Sequence, residues 1–165
     1  MKLVRIDVSS PVGAIQVYCT ATAVAGLLFV ERDRTEIERE FGAFEVEPAE
    51  DALGVRGALE RYFGGDIQAL EDVPAQALHG TAFQREVWAA LREIKPGETT
   101  TYGALARKLG RNGAQRAVGA ANGANPIGLI VPCHRVIGSA NKLTGYGGGI
   151  DRKHWLLRHE GALLV

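Results

Sequence analysis

Residues 99–126 read TTTYGALARKLGRNGAQRAVGAANGANP, and this stretch predicts two short helices joined by a tight turn. Its first half places four residues on one helical face: Tyr102, Leu105, Ala106 and Leu109. Gly110 ends that helix, and Asn125-Pro126 ends the second one. Two short helices with a glycine-containing turn are the pattern of a helix-turn-helix. A helical hairpin buried in a core gives the same pattern, so both interpretations remain open at this point.

The second of these helices is rich in alanine and glycine, and Arg116 is its one long side chain that can project freely. Recognition helices that read the major groove usually carry several polar side chains that contact bases. A surface of small residues permits close backbone approach, which suits the narrower minor groove and binding without sequence preference. The same surface would also let the helix pack tightly against a neighbour.

A third amphipathic helix is predicted upstream, where residues 81–94 read TAFQREVWAALREI. Its apolar stripe consists of Phe83, Val87, Leu91 and Ile94. Thr81 is a suitable N-cap, and the following Lys-Pro-Gly is a helix stop. Downstream, residues 151–161 (DRKHWLLRHEG) predict a final helix with Asp151 as cap and Trp155 packing inward.

The first thirty residues have the pattern of strands rather than helices. Three segments, LVRIDV, AIQVYCT and GLLFV, alternate or are aliphatic and are separated by turn residues. Two helices are predicted next, over RTEIEREF and AEDALGVRGALERYFGG. Residues 66–80 are predicted to connect the two parts of the chain. We therefore expect an α/β domain at 1–78 with a three-stranded antiparallel sheet. A mostly helical domain containing the helix-turn-helix is expected at 79–165.

The net charge of the 165 residues is zero, but the two halves differ. Residues 1–80 hold 7 Lys and Arg against 14 Asp and Glu, whereas residues 81–165 hold 12 against 5. Such an asymmetry suggests an anionic partner for the basic half, or attraction between the halves. No signal-peptide pattern is present, and the most apolar run, AVAGLLFV, is too short to span a membrane. We expect a reduced, cytoplasmic protein that does not bind membranes.

The segment PCHRVI, residues 132–137, places a thiol beside an imidazole. Cysteine is reactive as its thiolate, and His134 could accept the proton directly or through water. A carboxylate would then orient the imidazole, and Glu160 is the best-placed candidate. Cys133 could equally be an inert core residue. The cysteines and histidines show no paired ligand spacing, so no metal site is expected.

The combined motifs resemble the O6-alkylguanine-DNA alkyltransferases, also called methylated-DNA–protein-cysteine methyltransferases. The resemblance runs from about Thr81 to Gly161, with its elements in order. It rests on TTYGALA, QRAVGAANGANP, NPIGLIV, PCHRVI and GYGGG…WLLRHEG. It implies a protein that binds duplex DNA in the minor groove, rotates O6-alkylguanine out of the stack and takes its alkyl group irreversibly. O4-alkylthymine stays open as a second substrate.

The resemblance also implies roles for individual residues. Cys133 matches the alkyl acceptor, and His134 and Glu160 match the residues that activate it through a water. Tyr102 matches the tyrosine that crowds the phosphate and protonates the leaving guanine. Arg116 matches the arginine that fills the space left in the base stack by the rotated guanine. Asn125 matches the asparagine that links the recognition helix to the active-site loop.

Further matches are expected DNA contacts (Gly103, Arg111, Ala114 and Ser139) and base-pocket residues (Val136, Tyr146 and Gly147). Arg135 is expected to serve structure or phosphate contact. The resemblance implies a monomer with double-stranded DNA as partner, no obligate protein partner and no cofactor. Two other functions are weighed against it: a DNA-lesion-binding module without catalysis, and a cysteine hydrolase using Cys133 and His134.

Overall fold

The computed structural model describes residues 2–30, 41, 44–138, 146 and 149–162. The chain divides into two compact units, Met1–Leu78 and His79–Val165. Within the described residues no helix is both long and apolar enough to cross a membrane.

The first unit is built on a four-stranded mixed sheet. Its strands are β1 (Lys2–Val8), β2 (Ile15–Cys19), β3 (Val24–Phe29) and β4 (Glu45–Pro48), in the order β3-β2-β1-β4. The three predicted strands are antiparallel neighbours, but β4 pairs in parallel with β1, so the prediction of a three-stranded antiparallel sheet was wrong. The sequence of β4 is EVEP, which has a single aliphatic residue and no apolar alternation. Its strand character comes from pairing with β1 rather than from its own pattern.

Aromatic packing fills the core beside this sheet. The rings of Tyr18 and Phe41 stack with centroids 4.5 Å apart at 15°. Gly26 lies under Phe41, where a β-carbon would collide with the ring. Helix α1 (Val55–Phe63) follows, and it begins after Gly54, whose φ of 70° suits glycine. Of the other predicted helix, RTEIEREF, only Phe41 lies among the described residues, where it is helical.

The described part of the second unit contains four α-helices: α2 (Ala82–Leu91), α3 (Tyr102–Lys108), α4 (Gln115–Gly123) and α5 (Ile150–His159). The predicted N-cap of α2 is confirmed. The Thr81 hydroxyl accepts from the Gln84 amide, and the Gln84 side chain accepts from the Thr81 amide, which forms a capping box. The helices predicted around residues 102–109 and 115–123 are confirmed as α3 and α4.

Helix α5 differs from its prediction in two respects. Gly149, not Asp151, occupies the N-cap, and Asp151 lies in the first turn. Trp155 is half-buried and stacks on His159 with ring centroids 4.8 Å apart, whereas Lys153, Leu156 and Leu157 are the buried residues. The inward face of α5 is thus offset from Trp155.

A short parallel pair, β5 (Thr100–Thr101) and β6 (Val136–Ile137), brings two distant segments together. Thr100 pairs with Val136 and Thr101 with Ile137. The Thr101 hydroxyl also caps α3 by accepting from the Ala104 amide. The beginning of α3, at Tyr102, is therefore held beside the chain that leaves Cys133.

Candidate active site

Cys133 lies at the start of a single 3-10 turn, Cys133–Arg135, whose three residues are all buried. Three aliphatic residues close to it in the sequence, Ile130, Val131 and Val136, are buried as well. At the C-cap of α2, the Arg92 guanidinium donates to the Ile130 carbonyl at 2.7 Å, which fixes the chain entering the turn. The thiol is therefore held on a rigid backbone in apolar surroundings.

The surroundings of Cys133 act on its ionisation in opposite directions. Burial is the largest influence and raises the pKa of the thiol above its ordinary value. A hydrogen bond with Asn125 and the positive charge of Lys153 both lower it, without offsetting the burial. Cys133 is accordingly a thiol at rest and needs a base that accepts its proton.

His134 follows Cys133 in the same turn and is bonded to a carboxylate. Its Nε2 lies 2.9 Å from Oε2 of Glu160, and both side chains are fully buried. Arg135 and His134 hold the pKa of Glu160 well below its usual range despite its burial, so the carboxylate is ionised and accepts from Nε2–H. Nδ1 is then the unprotonated nitrogen, and it has no hydrogen-bond partner within the described residues. Burial lowers the pKa of His134, which keeps the imidazole neutral at pH 7.

Arg135 completes this cluster from the other side of Glu160. Its Nε donates to Oε1 at 2.9 Å and its Nη2 to Oε2 at 3.0 Å, while Nη1 donates to the Ile94 carbonyl at 2.6 Å. Arg135 is buried, and this bidentate pairing fixes the carboxylate in one orientation. Of the two expected roles, the geometry supports the structural one.

Two asparagines connect the end of α4 to the cysteine turn. Asn125 donates to the Val131 carbonyl at 2.8 Å and accepts from the Ile127 amide at 3.0 Å. The buried Asn122 amide lies 3.4 Å from the Cys133 carbonyl. Trp88 on α2 also donates to the Ala121 carbonyl at 2.8 Å. The position of α4 is thereby coupled to the position of the thiol.

The expected DNA-contacting residues lie along α3, α4 and their connection. The half-buried Tyr102 begins α3, and its ring faces Gly119 of α4. Gly103 is half-buried in α3, Ala114 is the N-cap of α4, and Arg116 is exposed in the first turn of α4.

Arg111, also expected to contact DNA, is exposed between the two helices but already has partners within the chain. Its Nη2 donates to Glu86 at 3.0 Å, and its guanidinium lies 5.0 Å above the Phe83 ring. These contacts fix its side chain over the surface of α2.

The described part of the expected base pocket consists of Val136 and Tyr146. Val136 is fully buried, and the Tyr146 ring lies edge-on to His134 with centroids 6.4 Å apart. Burial raises the pKa of the Tyr146 hydroxyl well above its ordinary value, so it stays protonated. The predictions for Ser139 and Gly147 fall on positions outside the described residues.

Sequence reasoning missed four polar side chains that build the site: Trp88, Arg92, Asn122 and Lys153. A signal for the last one existed, because Lys153 and Glu160 are seven residues apart and so share one face of a helix that also buries Leu156 and Leu157. Among the described residues no group of three or more His, Cys, Asp or Glu could hold a metal ion.

Comparison with known proteins adds an independent finding. The family model for "6-O-methylguanine DNA methyltransferase, DNA binding domain" matches residues 82–162. A methylated-DNA–protein-cysteine methyltransferase of Salmonella typhimurium is 47% identical over 171 residues, covering 100% of this chain and 99% of the relative. The structure of the Mycobacterium tuberculosis O6-methylguanine methyltransferase superposes with a TM-score of 0.82 at 40% identity, covering 97% of this chain and 93% of the other. A structure of the M. tuberculosis protein in complex with DNA also has a TM-score of 0.82, at 41% identity, covering 96% and 93%.

Proposed function

The chain belongs to the methylated-DNA–protein-cysteine methyltransferase family, and we propose that it repairs DNA by transferring the alkyl group of O6-alkylguanine to its own Cys133. The observation that carries this assignment is the buried arrangement of Cys133, His134 and Glu160. The His134–Glu160 bond leaves Nδ1 of His134 free to accept a proton, and His134 directly follows Cys133 in the same buried turn. Glu160 orients the base as the acid does in other nucleophile–base–acid sites.

The chemical step balances with groups that the chain supplies. His134 takes the thiol proton, directly or through a water, and the thiolate of Cys133 attacks the alkyl carbon. The new carbon–sulfur bond forms as the carbon–O6 bond breaks, and the electron pair of the broken bond leaves on guanine. Tyr102 donates the proton that neutralises the departing base. Cys133 is buried, so its thiolate is poorly solvated and therefore reactive.

For DNA binding we assign α3 and α4 as a helix-turn-helix through which the second unit binds the minor groove. The small residues of α4 permit close backbone approach, and its exposed Arg116 fills the space of the guanine rotated out of the stack. Tyr102 begins α3 directly after a strand that pairs with the chain leaving the cysteine turn, and this position supports a role at both the phosphate and the base. Binding through phosphates explains why no sequence preference is required.

Each chain is proposed to act once. The product is a thioether, and its carbon–sulfur bond is not broken by water or by thiols at neutral pH. Regeneration would need a nucleophile stronger than the one already used. The protein is therefore consumed in proportion to the lesions it repairs.

A transfer assay with duplex DNA that carries a radiolabelled methyl group on O6 of guanine tests this proposal. We expect one label per chain, located on the peptide that contains Cys133, and no label on a Cys133→Ser variant that still binds the duplex. Cys19→Ala is the matched control, since Cys19 is the other cysteine and lies buried in the first unit.

Two results would contradict the proposal. Label that stays on the DNA while the wild-type protein binds it would indicate a lesion-binding module without catalysis. Repeated turnover of an ester or amide that depends on Cys133 and His134 would indicate a hydrolase instead.

A further inference from the structure

Two polar side chains of α2 bond to the chain that links α4 to the cysteine turn. The Trp88 indole donates to the Ala121 carbonyl at 2.8 Å, and the Arg92 guanidinium donates to the Ile130 carbonyl at 2.7 Å. Arg92 is the C-cap of α2 and keeps helical backbone angles, so it lies one turn after Trp88 on the same face. One face of α2 therefore bonds to both ends of this link.

The bond from Trp88 acts as a cap for the end of α4. In a continuing helix the Ala121 carbonyl would accept from the Asn125 amide. That amide bonds instead to the Asn122 carbonyl at 3.3 Å, which tightens the last turn. The indole N–H takes its place at Ala121, and both residues of this bond are buried. The end of α4 is thus fixed by a side chain from another helix.

The ring of Trp88 is confined on a second side by the backbone at Gly80. A β-carbon at Gly80 would lie 2.6 Å from the ring, so the chain approaches here as closely as only glycine allows. The ring therefore contacts the chain before α2 while its N–H bonds to the end of α4, and both contacts fix its position.

A third bond extends the series past the end of α2. The Ile94 carbonyl accepts from Nη1 of Arg135 at 2.6 Å, and Arg135 belongs to the cysteine turn. Positions 88, 92 and 94 thus bond, in this order, to positions 121, 130 and 135. Buried indole and guanidinium groups commonly find hydrogen-bond partners. The particular feature here is that these three partners all lie along the chain that connects α4 with the cysteine turn.

We propose that α2 is the frame that aligns the DNA-binding helix α4 with the acceptor thiol, and that Trp88 and Arg92 are positioning residues for the alkyl transfer. A duplex held by α4 delivers its rotated base to Cys133 only if the helix and the thiol keep a fixed separation. A misplacement of about 1 Å at a reacting group can cost about 100-fold in rate. The inference rests on the proposed function, although its structural basis can be tested without DNA.

Trp88→Phe is the sharpest variant, because it keeps an aromatic ring and removes the N–H donor. We expect methyl transfer at saturating duplex to slow by about tenfold, because the end of α4 is no longer fixed. The affinity for undamaged duplex should stay at its wild-type value. The rate at which iodoacetamide alkylates Cys133 without DNA should also stay there, since this small probe does not depend on α4. A general loss of structure would change all three measurements.

Trp155→Phe is the matched control. It makes the same change on α5, where the half-buried ring stacks on His159, and it should leave transfer unchanged. Arg92→Met removes the donor to the Ile130 carbonyl and should slow transfer as Trp88→Phe does. Arg92→Lys keeps a donor at this position and should recover part of the rate.

Hydrogen exchange of the Ala124 amide gives a measurement that needs no DNA. This amide bonds to the Ala120 carbonyl at 3.0 Å at the end of α4. We expect it to exchange about tenfold faster in Trp88→Phe than in the wild type, and at the wild-type rate in Trp155→Phe.

Three results would overturn the inference. The first is unchanged exchange of Ala124 in Trp88→Phe, and the second is transfer at the wild-type rate in both Trp88→Phe and Arg92→Met. The third is an equal slowing of transfer and of the iodoacetamide reaction in Trp88→Phe, which would place the effect at the thiol itself. Failure of the wild-type protein to accept label from DNA would refute the proposed function, and the exchange measurement would still decide whether Trp88 caps α4.

Discussion

Glu160 is the residue on which the most contacts of the site converge, because one carboxylate serves both His134 and Arg135. Glu160→Gln removes the charge and leaves the buried guanidinium uncompensated. We expect a loss of about 3–5 kcal/mol in the free energy of unfolding at pH 7, measured by urea denaturation. Glu98→Gln, at an exposed position, is the control and should change it little.

The sign of the pH dependence follows from the pKa of Glu160, which is held below its ordinary value. Its stabilising contribution is fully present above the unfolded-state pKa of about 4.3 and is lost as the pH falls toward the folded-state pKa. The difference between wild type and Glu160→Gln should therefore shrink below about pH 4. A difference that stays constant from pH 7 to pH 3 would contradict the ionised, paired carboxylate.

The residues of the site could be predicted from the sequence where a motif contains them. The side chains and carbonyls to which they bond could not. Cys133, His134 and Glu160 could be named from PCHRVI and the closing helix, and the structure bonds Glu160 to His134, the residue after Cys133. The burial of Arg135 could not be predicted, because it results from packing between the end of α5 and a turn that is far away in sequence. Charged residues are expected at the surface unless they are paired, and the sequence gives no pairing.

Among the elements, those with strong local signals were predicted best. Helix α2 has both a capping box and an apolar stripe. Helix α3 is followed by a glycine, and α4 ends shortly before a proline. Strand β4 was missed because its residues have no period of their own and it exists through its pairing with β1. The two-residue strands β5 and β6 were missed for the same reason, although they connect Tyr102 to the cysteine turn.

The link between α4 and the cysteine turn gives a prediction for an element. Asn125→Ala removes the donor to the Val131 carbonyl, the acceptor for the Ile127 amide and the hydrogen bond that lowers the pKa of Cys133. Unpaired backbone groups cost about 1–3 kcal/mol each, so we expect at least a tenfold slower methyl transfer, by order of magnitude, in single-turnover assays.

Affinity for undamaged duplex should change much less, because Asn125 follows α4 and contacts the turn rather than the exposed helix surface. Gln68→Ala removes an amide side chain from an exposed position of the first unit and serves as the control. If Asn125→Ala weakened DNA binding as much as it slowed transfer, the residue would belong to the DNA surface rather than to the link.

The net charge of the whole molecule is zero, but residues 81–165 are basic. Part of their positive charge is paired with carboxylates. Lys108 binds Glu93 at 2.7 Å and Arg111 binds Glu86 at 3.0 Å, each at an exposed position. Exposed pairs of this kind contribute little to stability, about 0–1 kcal/mol. Their effect on an anionic partner is larger, because each pair withholds a cation from the phosphates.

This argument predicts that Glu86→Gln strengthens binding to undamaged duplex DNA. The change releases Arg111 for a phosphate, so the dissociation constant should fall and the slope of log affinity against log salt should steepen by up to about 0.9. Fluorescence anisotropy over a salt series measures both. Glu98→Gln makes the same change of net charge in the same unit without releasing a cation, and Arg111→Ala combined with Glu86→Gln should abolish the gain. Equal effects of Glu86→Gln and Glu98→Gln would show that only net charge matters and that Arg111 does not contact DNA.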